Sequence, residues 1–219
     1  MADPPEPSKP ASPQTEPTPA PRAAALVSVR PGAIVLARHG EPALSRKCYL
    51  TSDQYRDWWA KYEVGGLRAG QTPPPELLAT AEGAGAIYAS TRPRAQETAA
   101  AISAGREVMS DALFIEAPLP PPRLPSWFKL PPKYWGAVAR FWWHVFNHHE
   151  GQETRRQAEV RAEKAARSLI ARAESGQDVL VLAHGYFNHM VGKRLKADGW
   201  SLVHNQGFKY WSQRRYEKR

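Results

Sequence analysis

Cysteine is nearly missing: Cys48 stands alone among 219 residues. A disulfide within the chain is therefore excluded, which fits a reducing compartment and a cytoplasmic location. A structural zinc site would have to replace the usual thiolates with His or Asp, and no compact cluster of those is visible. Cys48 also lacks the glycine-rich, anion-cradling loop expected beside a phosphatase cysteine. Zinc-finger spacing, an RNA-binding aromatic motif and a dinucleotide-binding glycine motif are all missing, so no specific nucleic-acid partner is expected. No apolar run reaches the length of a transmembrane helix. The N-terminus lacks a basic segment followed by an apolar stretch, so no secretory signal is expected. Acidic residues are in deficit, 21 against 30 Lys and Arg, for a net charge of +9. That balance implies a soluble basic surface, one that attracts anionic substrates or holds nucleic acid without specificity. The arginines gathered at Arg214-Arg215-Tyr216-Glu217-Lys218-Arg219 read as part of that surface.

Proline is plentiful where packing residues are scarce. Eight prolines fall in the first twenty-one positions, so residues 1–23 are expected to be disordered or transiently extended. Residues 24–219 are long enough for one hydrophobic core and too few for two full domains.

Within that domain, apolar runs alternate with amphipathic stretches. Strands are predicted at Ile34 to Ala37, Ala86 to Ala89, Leu113 to Ile115 and 178–183. A helix over Ser52 to Tyr62 is predicted from Tyr55, Trp58, Trp59 and Tyr62 at helical spacing, with Ser52 as its cap. Another runs from Pro75 or Glu76 to Glu82. Ser90 and Thr91 supply caps for a third, with Pro93 in its first turn and Ala95, Ala99 and Ile102 facing inward. A long helix is predicted from Glu153 to Ala173 on the apolar face Ala158, Ala162, Ala165, Ala166, Leu169, Ile170 and Ala173. Phe187, Met190, Val191 and Leu195 mark one more. Alternating strands and helices predict a three-layer α/β/α sandwich with a mostly parallel central sheet. An aromatic-rich insert around 117–147 interrupts the alternation with Trp127, Phe128, Tyr134, Trp135, Phe141, Trp142, Trp143 and Phe146. It serves either as core packing or as a roof over a substrate pocket.

Two strands end alike. Ala33-Ile34-Val35-Leu36-Ala37 leads into Arg38-His39-Gly40-Glu41, and Asp178-Val179-Leu180-Val181-Leu182-Ala183 leads into His184-Gly185. Open α/β sheets gather ligands outside the carboxyl ends of their strands. Two imidazoles and an arginine brought together there point to a phosphate-handling site.

These blocks resemble the histidine phosphatase superfamily, which also contains the cofactor-dependent phosphoglycerate mutases. The Arg38-His39-Gly40-Glu41 block is similar to the family's opening. Ser90-Thr91-Arg92-Pro93-Arg94-Ala95-Gln96-Glu97-Thr98-Ala99 resembles its second block, most directly at Arg94-Ala95 and Thr98-Ala99. Ala183-His184-Gly185 resembles the third, with alanine for the usual first glycine. The resemblance spans Ile34 to Tyr210 and implies a phosphoglycerate mutase-like fold.

It also implies roles. His39 is the expected nucleophile, since a neutral imidazole has a lone pair near neutral pH. Arg38 and Arg94 are expected to bind the phosphoryl oxygens with fixed guanidinium donors. His184 completes the pocket, protonated or hydrogen-bonding. Glu116 is the expected proton donor, with a solvated surface glutamate as the alternative. Glu41 is a second candidate acid, better placed to orient His39. Ser90 either contacts the nucleophile's surroundings or merely caps a helix, and Asn188, one turn after His184, is a supporting residue. Arg92 matches no essential family position. Glu153, Arg161 and Asn205 resemble recurrent polar positions without direct chemistry. The implied activity is phosphomonoester hydrolysis through phosphohistidine, on a phosphorylated small molecule, with no metal or organic cofactor required. The alternatives are a mutase-like phosphotransferase, disfavoured because Pro42-Ala43-Leu44-Ser45-Arg46 replaces the mutases' Ser-x-Trp-Asn continuation, and a non-catalytic phosphate-binding scaffold.

Overall fold

The structure is a computed structural model that describes Met1 and residues 30–219; the segment expected to be disordered lies, apart from Met1, outside the described residues. Six strands form one sheet in the order β3-β2-β4-β1-β6-β5. They are β1 (Ile34–Arg38), β2 (Ala86–Ala89), β3 (Met109–Ser110), β4 (Val179–Ala183), β5 (Trp200–Asn205) and β6 (Gln213–Lys218). The pairs β1–β4, β4–β2 and β2–β3 are parallel, and only β6 runs against its neighbours β1 and β5. Among the described residues there are six α-helices: α1 (Ser52–Val64), α2 (Pro75–Gly83), α3 (Pro93–Ile102), α4 (Pro132–Phe146), α5 (Arg155–Ala173) and α6 (Gly185–Ala197).

Side-chain alternation in the central strands builds the layers. Ile34, Leu36, Val179 and Val181 point into a core shared with α5 and α6, where Ala158, Ala162, Ala166, Leu169, Phe187 and Leu195 are buried. Val35, Ala37, Leu180, Leu182, Ile87 and Ala89 point the other way, onto Leu77 and Ala81 of α2 and Ala99 and Ile102 of α3. Both faces of the parallel strands are thus covered, which is why their sequences read as unbroken apolar runs. The fold is the expected phosphoglycerate mutase-like α/β/α sandwich.

Several local expectations shift. The strand expected at Leu113 to Ile115 is a 3₁₀ turn over Ala112–Phe114, and the strand lies earlier, at Met109–Ser110. Asp111 explains the change: its side chain accepts the Leu113 N–H at 2.8 Å, offering the backbone a bond that competes with a ladder. The cap of α1 is Thr51 rather than Ser52, in a reciprocal box with Gln54. Neither Ser90 nor Thr91 occupies the cap of α3, which is Arg92 without a side-chain bond.

The larger surprise is the C-terminus. The arginine-rich end is not a peripheral basic patch but β6, paired with β1 from Ile34↔Tyr216 to Ala37↔Gln213. Ladder bonds need only backbone, so charged letters are tolerated wherever their heads find partners. Tyr216 enters the core, Arg215 pairs with Asp178 and Glu217, and the buried Arg214 lies over Phe208 at 4.7 Å.

The aromatic insert is only partly core, and none of its residues lines the cavity of Arg38 and Glu116. Trp135 joins Tyr55, Trp58 and Tyr62 of α1 in a separate cluster, and Trp143 packs in the main core. Trp127, Tyr134, Phe141 and Phe146 are exposed.

Candidate active site

The chain reversal after β1 and the start of α6 after β4 meet because the two strands are adjacent and in register, with Arg38 opposite Ala183. The His39 N–H donates to the Ala183 carbonyl at 3.0 Å. Ala183 is a buried, extended strand residue, so its methyl group has the room that replacing glycine requires. Beyond it the two rings come together, centroids 5.2 Å apart and edge to face.

His39 is buried and its tautomer follows from one contact. Nδ1 lies 2.7 Å from the Gly40 carbonyl. A carbonyl can only accept, so Nδ1 carries the hydrogen and, in the neutral ring, Nε2 holds the lone pair. Burial, and then the charges of Arg38 and Arg94, hold the His39 pKa well below the usual 6.5. The ring is therefore neutral near pH 7. His184 is lowered in the same way, first by burial and then by His39, Arg94 and Arg92. Its Nε2 is 2.9 Å from the Ser90 hydroxyl. Ser90 thus touches the second histidine, and its hydroxyl also accepts the Arg92 N–H at 3.4 Å.

The loop after β1 is fastened to α3. The Gly40 N–H donates to Thr98 Oγ1 at 2.9 Å, and that hydroxyl donates to the Arg94 carbonyl at 2.6 Å. Asn188 donates to the Ala37 carbonyl at 2.9 Å, tying α6 to β1 immediately before the Arg38-His39 pair. Arg38 lies over the Tyr210 ring at 4.3 Å and donates to the Phe208 carbonyl. Arg94 is fully buried, donating to the Tyr62 carbonyl at 2.8 Å and to Glu63 at 2.9 Å. The same carboxylate takes Arg92 at 2.6 Å. Among the described residues, Arg38 Nε, Arg94 Nε and His184 Nδ1 are buried without a hydrogen-bond partner.

Glu116 approaches from another direction. Its carboxyl oxygens accept the Phe187 N–H at 2.8 Å and the Tyr186 N–H at 3.2 Å, at the start of α6. With Arg38, Gly185, Tyr186, His189 and Phe208 it lines a cavity of about 420 Å³. The segment before it is clamped by Arg161, which donates to the Leu113 and Ile115 carbonyls and pairs with Glu153 at 2.7 Å. Glu41 is turned away from His39 into an exposed pair with Arg68 at 2.8 Å.

Sequence reasoning missed four contributors. Glu63 joins Arg92 and Arg94; Tyr62 supports Arg94 through its carbonyl and, at 4.4 Å, its ring; Tyr210 faces both His39 and Arg38; Thr98 anchors Gly40. Thr98 alone had a signal, its place in the Arg94-to-Ala99 block. Arg92, set aside on sequence grounds, shares the Glu63 carboxylate.

Two neutral imidazoles flanked by arginines thus lie at the strand ends of an α/β sandwich of this topology. The profile of the histidine phosphatase superfamily (branch 1) matches residues 75–212, and the chain belongs to that family. The match takes in Arg94, Glu116 and His184 and begins after the Arg38-His39-Gly40 block. No curated protein sequence matches the chain. Among solved structures, it is similar to a mycobacterial glucosyl-3-phosphoglycerate phosphatase complexed with VO3, at 19% identity and TM-score 0.52, covering 84% of this chain and 92% of that one. It is also similar to mycobacterial hydrolase 2, at 21% identity and TM-score 0.50, covering 76% of this chain and 72% of that one. At these identities the likeness is one of fold. Among the described residues, no helix is long and apolar enough to cross a membrane.

Proposed function

We propose that the chain hydrolyses phosphomonoesters of small molecules through a phosphohistidine. The observation that carries this reading is the meeting of His39 and His184 at 5.2 Å beside Arg38 and Arg94. His39 Nε2 attacks phosphorus while its Nδ1–H stays on the Gly40 carbonyl, so the charge gained by the ring is met by an acceptor already in place. The ester P–O bond breaks and the departing oxygen takes a proton from Glu116. Water then attacks phosphorus, Glu116 recovers a proton from it, the N–P bond breaks, and phosphate leaves with His39 neutral again. Arg38, Arg94 and His184 stabilise the phosphoryl oxygens through both displacements. Glu116 supports this scheme by sharing a cavity with Arg38. A positioned acid of this kind contributes about 10²–10⁴ in rate.

The test is turnover of p-nitrophenyl phosphate by wild type and His39→Ala, with brief exposure to labelled substrate to trap an acid-labile phosphoprotein. Loss of essentially all turnover and of the label in the variant is expected. Equal activity in the two proteins overturns the assignment of the nucleophile.

A further inference from the structure

The cavity lined by Arg38 and Glu116 has a neighbour of about 500 Å³. Tyr186 and His189 line both. From them the cavity runs down a groove between α5 and α6. On α6 its walls are Tyr186, His189, Met190, Lys193, Arg194 and Ala197, spaced as one helical stripe. On α5 they are Arg155, Glu159 and Ala162. Lys193 lies seven residues beyond Tyr186, so at 1.5 Å per residue it sits roughly 10 Å further down the groove.

The charge of this groove is one-sided. Its single carboxylate among the described residues, Glu159, is paired with Arg155 at 2.9 Å. Neither Lys193 nor Arg194 makes an ion pair among the described residues. Two histidines line the groove, His144 of α4 and His189 of α6; burial first, and then nearby cations, lowers the proton affinity of both, with Arg155, Arg140 and Lys193 acting on His144 and Arg214, Lys193 and Lys196 on His189. Between the two ends, Met190 and Ala162 provide an apolar floor and Tyr186 an aromatic edge. The groove therefore leads from the cavity of Arg38 and Glu116 to a cationic end past an apolar floor.

Resting on the proposed phosphatase reading, we infer that this groove holds the leaving group of an extended substrate carrying a second anionic group, phosphate or carboxylate, on Lys193 and Arg194, roughly 10 Å beyond Tyr186 along α6. The passage accommodates a linear or flat apolar spacer. A short bis-anion cannot reach both ends, so length is part of the recognition.

The test compares octanediol bisphosphate with octyl phosphate and ethylene glycol bisphosphate as substrates. A charge-assisted contact contributes about 1.5–3 kcal/mol, so kcat/KM for octanediol bisphosphate is expected to exceed that for octyl phosphate by about tenfold or more. Ethylene glycol bisphosphate is expected to show no such advantage over a short monoester. In Lys193→Gln/Arg194→Gln the preference falls to within about twofold, whereas Lys164→Gln, a charge change elsewhere on α5, retains it. Calorimetric titration of the His39→Ala protein with the same compounds reads the preference without turnover. If monoesters are not hydrolysed but octanediol bisphosphate still binds preferentially through Lys193 and Arg194, the phosphatase reading fails and the groove assignment stands. If monoesters are hydrolysed and all lengths are used alike, or the double variant keeps the preference, the groove assignment is wrong. A preference lost equally in Lys164→Gln also overturns it, because the effect is then general surface charge.

Discussion

Glu63 holds the two arginines of α3's first turn, and Glu63→Gln separates what that carboxylate does from what the arginines do. In the native protein, Glu63 Oε1 is 2.9 Å from Arg94 Nη2 and Oε2 is 2.6 Å from Arg92 Nη2. The Arg94 side chain is fully buried, while those of Arg92 and Glu63 are 32% and 15% exposed. An amide keeps one acceptor and turns an NH₂ group toward the other guanidinium. Breaking a fully buried pair costs about 3–5 kcal/mol, and an exposed pair is worth about 0–1 kcal/mol. The mixed burial here places the loss at about 2 kcal/mol. In a domain of this size that lowers Tm by about 4–8 °C. Turnover should respond unevenly. Two arginines and one carboxylate leave a local charge of +1, and removing the carboxylate makes it +2. Phosphate attraction is thus not weakened, whereas Arg94 loses its carboxylate partner and keeps the main-chain carbonyls of residues 62 and 63 and the Tyr62 ring to fix its direction. The expected result is a kcat lowered about tenfold with KM unchanged or lower, because the lost interaction is orientation in the transition state. Calorimetric melting and steady-state kinetics on one preparation measure both. A variant with native Tm and kcat within about twofold of wild type refutes the argument that Glu63 organises the site.

Two further outcomes follow from the site. In the proposed mechanism His39 attacks as the neutral ring, and its pKa is held well below 6.5 by burial and by Arg38 and Arg94, so activity should persist as pH falls through 6.5 and fail only at the depressed value; a kcat/KM profile, corrected for substrate ionisation, with its acid limb at or above 6.5 contradicts this. A Cβ on Gly40 would stand 2.4 Å from the Trp211 ring, whose Nε1 donates to Gln71 at 2.9 Å and cannot swing freely. Gly40→Ala should therefore cost about 1–3 kcal/mol and disturb His39 beside it, and unchanged melting together with unchanged turnover would show that the loop has slack.

The readable parts of the protein were those where chemistry and local geometry coincide. The apolar runs of β1 and β4, each closing on a histidine, announced buried parallel strands and a strand-end site, because strands covered on both faces need no alternation. The alanine face of α5 and the inward side of α3 at Ala95, Ala99 and Ile102 were legible for a similar reason: helical periodicity is a property of neighbours in sequence. The 3₁₀ turn at Ala112–Phe114 was hidden because three apolar residues look alike in a turn and a strand, and a single Asp111 contact decided between them.

What sequence alone determined was the class of fold, its layers and the pairing of Arg38-His39 with His184, all dictated by burial patterns and strand ends. What tertiary structure decided was which distant groups complete them. Nothing local marks Gln213–Lys218 as a strand in the sheet beside β1, since a ladder is made of backbone atoms common to every residue. Nothing local marks Glu63 as the partner of Arg92 and Arg94, since an ion pair depends on where α1 comes to rest, and the aromatic cluster with Trp135 of α4 sets that position.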